Sequence, residues 1–156
     1  MKLLCDEMLK GLVRWLRAAG YDTLTLADGE EDGVLLQRAE NEKRLLLTRD
    51  RQLMQHRRAN GRAILLECNE QYECAAELTR LLHIDWHYRP FSRCMLCNTP
   101  LQTANDEQRL MLPVDVQADE LVLYCPVCDK LFWEGSHVRR MRTHLARWAG
   151  GEFLPR

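Results

Sequence analysis

Up to about residue 85, the apolar positions of this chain alternate between two periods. Short apolar runs at Lys2–Cys5, Thr23–Leu26, Leu45–Thr48 and Ala63–Leu66 each predict a strand. Segments of helical period separate them at Met8–Ala19, Gly33–Lys43 and Arg51–Asn60, and Gln71–Leu82 follows the last run. Strands alternating with helices of this length predict βαβ units in a small parallel sheet. Right-handed crossovers then place helices on both faces. In the first helix Met8, Leu12, Trp15 and Ala19 share one side, and Lys10, Arg14 and Arg17 share the other. Gly20 stands where a left-handed C-cap belongs.

The pattern changes after Tyr88–Arg93, a segment that contains Pro90 and reads as a linker. Two units follow from this: an α/β domain over 1–88, and a second unit over 89–156. In the second unit two cysteine pairs bracket a hydrophilic insert carrying Asp106, Glu107, Asp115, Asp119 and Glu120. Leu121–Tyr124 and Leu131–Trp133 predict strands around the second pair. Ser136–Gly150 predicts a C-terminal helix through Val138, Met141, Leu145 and Trp148.

Composition narrows the function classes. The chain has 156 residues, 46% hydrophobic and 29% charged, with a formal net charge of −1. That balance fits an ordinary globular protein and excludes a uniformly basic nucleic-acid coat. No apolar run approaches the roughly 18 residues of a membrane span, so no membrane partner is expected. Asp6 comes too early for a secretory leader. A cytoplasmic, reducing compartment is the expectation.

Seven cysteines, an odd count, argue against a closed disulfide framework. Cys94-x-x-Cys97 and Cys125-x-x-Cys128 are two knuckles of the kind a tetrahedral four-cysteine zinc site requires. Asn98 and Asp129 follow the pairs, and both residue types tolerate a left-handed turn. With no open coordination position, this zinc is structural, stapling a unit too small to hold itself. Cys5, Cys68 and Cys74 are expected to pack as small hydrophobes.

An acid follows every predicted strand. Asp6 follows the first, Asp28, Glu30, Glu31 and Asp32 the second, Asp50 the third and Glu67 the fourth. In an open parallel sheet the strands' carboxyl ends face one ligand-binding edge. Carboxylates converging there repel each other unless a hard cation joins them, and Mg²⁺ or Mn²⁺ prefers such oxygens. Asp6, Asp32 and Asp50 are the candidate ligands. Each also stands just before a predicted helix, where Asp is a favoured N-cap; the two readings stand side by side. No Walker loop, GxGxxG or GxSxG motif occurs. His56, His83 and His87 lie away from the strand ends, and Cys5 alternates away from Asp6.

Positive charge is local. Ser136–Ala149 carries four arginines and no acid, a surface suited to phosphates. Tyr124, Phe132 and Trp133 either stack on unpaired bases or form the ribbon's core. The basic stripe of the first helix has its own plain alternative, a solvated face.

Asp6-Glu7-Met8-Leu9, Leu12–Arg17, Gly20–Thr23, Leu46–Arg51, Arg93–Cys94, Cys97–Asn98, Cys125, Cys128 and Trp133-x-Gly135-Ser136-His137 together resemble the Mut-seven C-terminal RNase domain family. The resemblance implies a PIN-like nuclease domain with a C-terminal zinc ribbon. It implies that Asp6, Asp32 and Asp50, the acid of a Thr-x-Asp motif, form a metal-binding carboxylate cluster. Many PIN enzymes carry a further acid two residues later, where this chain has Gln52. PIN-like domains often dimerise, so the resemblance raises a homodimer while leaving the oligomeric state open. The leading expectation is therefore an Mg²⁺- or Mn²⁺-dependent ribonuclease leaving 5′-phosphate and 3′-hydroxyl ends. Lys10, Arg14, Arg17, Arg49 and Arg51 would hold RNA near the site, and Arg139, Arg140 and Arg142 would hold it on the tail. The alternative, which Gln52 favours, is a non-catalytic RNA- or protein-binding adaptor. A metal phosphatase is a third reading, weakened because position 8 is Met8 and no Asp-x-Asp pair forms.

Overall fold

Side chains alternate along the N-terminal strands, and that alternation builds the layers. The computed structural model describes residues 1–25, 31–113 and 120–154. In it β1 (Lys2–Cys5), β2 (Asp22–Thr25), β3 (Leu45–Thr48) and β4 (Ala63–Leu65) form a parallel sheet in the order β2-β1-β3-β4. Leu3, Cys5 and Leu47 enter one apolar cluster, whereas Leu4 and Leu46 enter another. The first cluster takes up α1 (Lys10–Ala18), α3 (Gln71–Leu82) and the C-terminal helix. The second takes up α2 (Asp32–Asn41). Helices cover both faces, as the periodicity predicts.

Two expected elements change form. Met8 lies in a 3-10 turn, Glu7–Leu9, and is 55% exposed, so the buried side of the first helix runs instead through Leu12, Trp15 and Leu16. The span predicted as a helix over Arg51–Asn60 is two 3-10 turns, Leu53–Gln55 and Arg57–Ala59. Its buried residues, Leu53 and Ala59, are too far apart to make a stripe. Extended His56 breaks the segment, its Nδ1 accepting the Arg58 N–H. The second strand begins one residue earlier than expected, and its predicted end, Leu26, lies outside the described residues, as do Asp28 and Glu30.

Cys68 and Cys74 do not pack as separate small hydrophobes: they form a disulfide across the turn that enters α3. The turn between β4 and α3 brings the two Cα atoms to 5.0 Å, within bonding reach. Cys5 remains a buried free thiol.

The second unit contains β5 (Gln102–Thr103), a short α4 (Asp106–Arg109), β6 (Leu123–Cys125) and β7 (Lys130–Phe132). The strands form an antiparallel sheet in the order β5-β6-β7. Helix α5 (Ser136–Ala149) then returns to the α/β unit and buries Met141, Leu145 and Trp148 there. The Trp148 ring lies 4.7 Å from Trp15 and 4.9 Å from Trp86, centroid to centroid. Trp15 Nε1–H donates to Gln71 Oε1 and Trp86 Nε1–H to Thr79 Oγ1, so both rings are buried without losing a hydrogen bond. One apolar core thus crosses the expected boundary at residue 88.

The expected linker is a docked strap. Arg89 N–H and Phe91 N–H donate to the Ala19 and Ala18 carbonyls. Gly20, at φ +99°, lets the strap approach: a Cβ there would meet the Arg89 carbonyl oxygen at 2.4 Å.

Polar groups close the seam between units. Arg17 is 6% exposed, not on an outer basic face. Its Nε–H donates to the Thr23 carbonyl at 2.8 Å, and Nη1 to those of Met95 and Leu96 at 3.1 and 2.6 Å. Asn98 accepts the Thr23 N–H and donates to Asp22 Oδ1 at 2.8 Å. The same carboxylate oxygen accepts from Arg44 Nη1 at 2.7 Å. Burial pushes the Asp22 carboxyl up, but these partners outweigh it and hold it below its ordinary value.

That lowered value gives the seam a pH signature. Asp22 contributes stability in full above the ordinary carboxylate pKa of about 3.9 and loses it as pH falls through the lower folded value. Asp22→Asn is expected to cost about 1–3 kcal/mol at pH 7. Urea denaturation should show the gap between the two proteins closing as pH falls below about 4. A gap independent of pH would deny the carboxylate its role in the seam.

Candidate functional site

The order β2-β1-β3-β4 places a topological switch between β1 and β3, because the chain leaves β1 toward β2 and then returns to its other side. The carboxyl ends of these two strands are where an open α/β sheet binds ligands. Asp6 follows β1 and Asp50 lies two residues beyond β3. Parallel pairing carries past the strand ends, with Asp6 N–H donating to the Leu47 carbonyl.

Thr48 joins the two acids. Its buried hydroxyl donates to Asp6 Oδ2 at 2.8 Å and accepts the Asp50 N–H at 2.9 Å. Asp50 Oδ1 in turn accepts the Gln52 N–H at 2.6 Å. Each carboxylate therefore uses one oxygen for its own orientation. No side-chain cap bond reaches the turn after Asp6. Asp50 Oδ1 closes a turn onto the Gln52 N–H and does not cap a helix: the 3-10 turn that follows has Gln52 as its N-cap, with no side-chain cap bond. Asp32 is exposed in the first turn of α2, with Glu31 as its N-cap. Among the described residues, Asp6, Asp32 and Asp50 are not a group whose ligand atoms all lie within 4.8 Å of one another. Thr48 links the Asp6 carboxylate to the Asp50 backbone, and Asp32 stands on α2, outside that link.

The basic residues divide. Lys10 and Arg14 are exposed on α1. Arg49 lies between Thr48 and Asp50 and donates to Asn69 Oδ1 at 3.1 Å. Exposed Arg51 pairs with Glu67, the acid after β4, at 3.0 Å. Arg17, expected to face a phosphate, is turned inward to the seam because three backbone carbonyls converge on it. Arg142, expected on the RNA-facing tail, forks onto both Glu134 oxygens at 2.8 Å and lies 4.8 Å over the Phe91 ring. Arg139 donates to the Glu134 carbonyl, while Arg140 is exposed. Phe132 packs against the main core, which answers the stacking alternative for that ring. Burial pushes the Cys5 thiol up to about 12, so it offers no nucleophile.

A cleft of about 660 Å³ lies beside the acids and does not include them. Met8 and Arg49, close in sequence to Asp6 and Asp50, line one side of it, and Trp15, Tyr72, His144 and Trp148 line the rest.

The four knuckle cysteines are a metal-capable set, with every sulfur within 4.8 Å of the others. Cys94 and Cys128 sulfurs are 3.9 Å apart, and those of Cys97 and Cys125 3.4 Å. Four thiolates around a tetrahedral zinc at about 2.3 Å stand about 3.8 Å apart, so the set fits and could bind zinc. Asn98 and Asp129 have φ of 74° and 51°, the left-handed turns expected after each pair. The Cys128 N–H donates to Cys125 Sγ at 3.4 Å.

A parallel α/β sheet with acids at its switch point thus stands beside four cysteines that could bind a metal. A family model, the Mut7-C RNAse domain, matches residues 1–145, and the chain belongs to this family. It is 33% identical over 101 residues, 62% of this chain, to the human protein named Exonuclease mut-7 homolog. It spans 12% of that relative's length. No solved structure matches it. Among the described residues, no helix is long and apolar enough to cross a membrane.

Thr48→Val keeps the shape of this fully buried side chain and removes its hydroxyl. The Asp50 amide and the Asp6 carboxylate then lose a partner, at an expected cost of about 1–3 kcal/mol. Guanidinium denaturation measures it; an unchanged midpoint would show that the two acids do not depend on the hydroxyl.

Proposed function

We propose that this chain is a metal-dependent ribonuclease, with Asp6, Asp50 and Asp32 as ligands to Mg²⁺ or Mn²⁺. The observation that carries the reading is the Thr48 hydroxyl, which ties the Asp6 carboxylate to the Asp50 loop at the switch point of an RNase-family chain. The donors are hard oxygens, the kind these cations select. Each of Asp6 and Asp50 has a second carboxylate oxygen beyond the one bonded here. A divalent ion at such a site lowers the pKa of water and neutralises charge at phosphorus. Thr48 holds the Asp6 carboxylate in place, and Arg49, Lys10 and Arg14 offer positive charge to the RNA backbone. Gln52, at the position of a further acid, adds no ligand charge, which favours a single ion.

In this reading Cys94, Cys97, Cys125 and Cys128 hold a structural zinc, and the ribbon with α5 positions RNA through Arg139 and Arg140. The relative's printed name, an exonuclease, supports action on strand ends.

Labelled RNA incubated with purified protein and Mn²⁺ should be cut. Asp6→Asn and Asp50→Asn should each lower the rate by at least 100-fold, and Asp32→Asn by at least tenfold, about 1.4 kcal/mol. RNA bound but never cut in any divalent metal would favour the adaptor reading that Gln52 suggests. Cutting unaffected by Asp6→Asn would trace the activity to a contaminant.

Metal analysis should find one zinc per chain. Cys97→Ser should lose it, with the ribbon's near-ultraviolet signal, while far-ultraviolet ellipticity from the α/β unit largely persists. Full folding without zinc would remove the staple from the account.

A further inference from the structure

We infer that the cleft between α1, the start of α3 and α5 is a subsite for one unpaired nucleobase of the RNA strand. This rests on the nuclease reading and adds the substrate form: single-stranded rather than duplex RNA. Three observations carry it. The cleft opens beside the acids, lined by Met8, two residues after Asp6, and by Arg49, the neighbour of Asp50. At about 660 Å³ it is within the size range of small-ligand pockets and has room for a nucleotide. Its chemistry also suits a neutral planar ring better than a second phosphate. Half-buried Tyr72 lines it, Trp15 and Trp148 present only edges there at 4% exposure, and Glu70 stands in the same lining as Arg49. Unpaired bases stack on such rings and hydrogen-bond through their edges, whereas a carboxylate repels phosphate.

The floor of the cleft explains an otherwise costly residue. Gly11 stands within α1, where glycine weakens a helix relative to alanine. A Cβ there would lie 2.5 Å from Gln71 Nε2. The missing side chain lets the Gln71 amide lie against α1, where its Oε1 accepts from Trp15 Nε1–H. Gln71 lines the cleft together with Gly11, and in this proposal its amide nitrogen donates to the edge of a base. Met8, 55% exposed, adds an adaptable apolar edge at the mouth.

Gly11→Ala displaces the Gln71 amide, the end of a flexible side chain that also accepts from Trp15 Nε1–H, whereas Tyr72→Ala leaves that bond in place, so the two variants together separate binding from folding. Fluorescein-labelled 10-nucleotide RNA, single-stranded or as a duplex, is titrated into the zinc-loaded full chain carrying Asp50→Asn, which keeps the RNA intact. The single strand is expected to bind at least tenfold more tightly than the duplex. Tyr72→Ala and Gly11→Ala should each weaken the single strand five- to tenfold and leave the duplex unchanged. The thermal midpoint of the Gly11→Ala protein should stay level or fall, because displacing Gln71 takes away the partner of Trp15 Nε1–H while alanine favours the helix. Equal binding of both RNAs, loss of both alike in the variants, or no effect of either variant overturns the subsite. Cleavage by the parent chain is scored separately. Cutting with silent cleft variants removes the subsite and spares the nuclease reading. Strand binding lost in the variants, with no cutting in any metal, does the reverse.

Discussion

The buried guanidinium of Arg17 holds the two halves of this molecule in register. It reaches from α1 to one carbonyl on β2 and to two in the first cysteine knuckle. A charge placed that deep is tolerated only when its donors are met, and three carbonyl oxygens meet them here. Asp22 and Asn98 continue the contact beside it, and Arg44 ties Asp22 to the start of β3. The knuckle is thereby built onto the edge strand of the sheet. Metal held by the cysteines and the position of β2 become parts of one mechanical problem.

The apolar side of the molecule makes the same connection by other means. Helix α5 leaves the ribbon and sets Trp148 between Trp15 and Trp86, so the last helix completes the core that the first one begins. The acids stand at the carboxyl ends of the two central strands, β1 and β3. There the requirement is different, because the acids must be positioned without collapsing onto basic neighbours. A neutral hydroxyl does this: Thr48 orients Asp6 by donating and the Asp50 loop by accepting. An arginine in the same place would neutralise the charge that a cation needs.

The basic residues sort by the same physics. Arg17 and Arg142 are held by partners inside the molecule, one by carbonyls and the other by Glu134 and the face of Phe91. Lys10, Arg14 and Arg140 stand exposed. Helical spacing placed Arg17 with Lys10 and Arg14, but α1 is buried around most of its circumference. Only Lys10 and Arg14 reach solvent within that stripe.

Local pattern was enough for much of this. The four parallel strands, four of the helices and the two knuckles with their left-handed Asn98 and Asp129 follow from period, spacing and turn preference, each a property of a few neighbouring residues. The positions of Asp6 and Asp50 at a strand edge follow from the same reasoning. Tertiary structure decided the rest. The bond between Cys68 and Cys74 depends on how tightly a turn closes. The inward reach of Arg17 depends on a knuckle 78 positions away, and the pairing of Arg142 on where Glu134 and Phe91 come to lie. Thr48 reads as an ordinary strand end until β1 lies beside β3. Such roles arise only when distant segments meet, and no periodicity along the chain encodes which side chain will find a partner there.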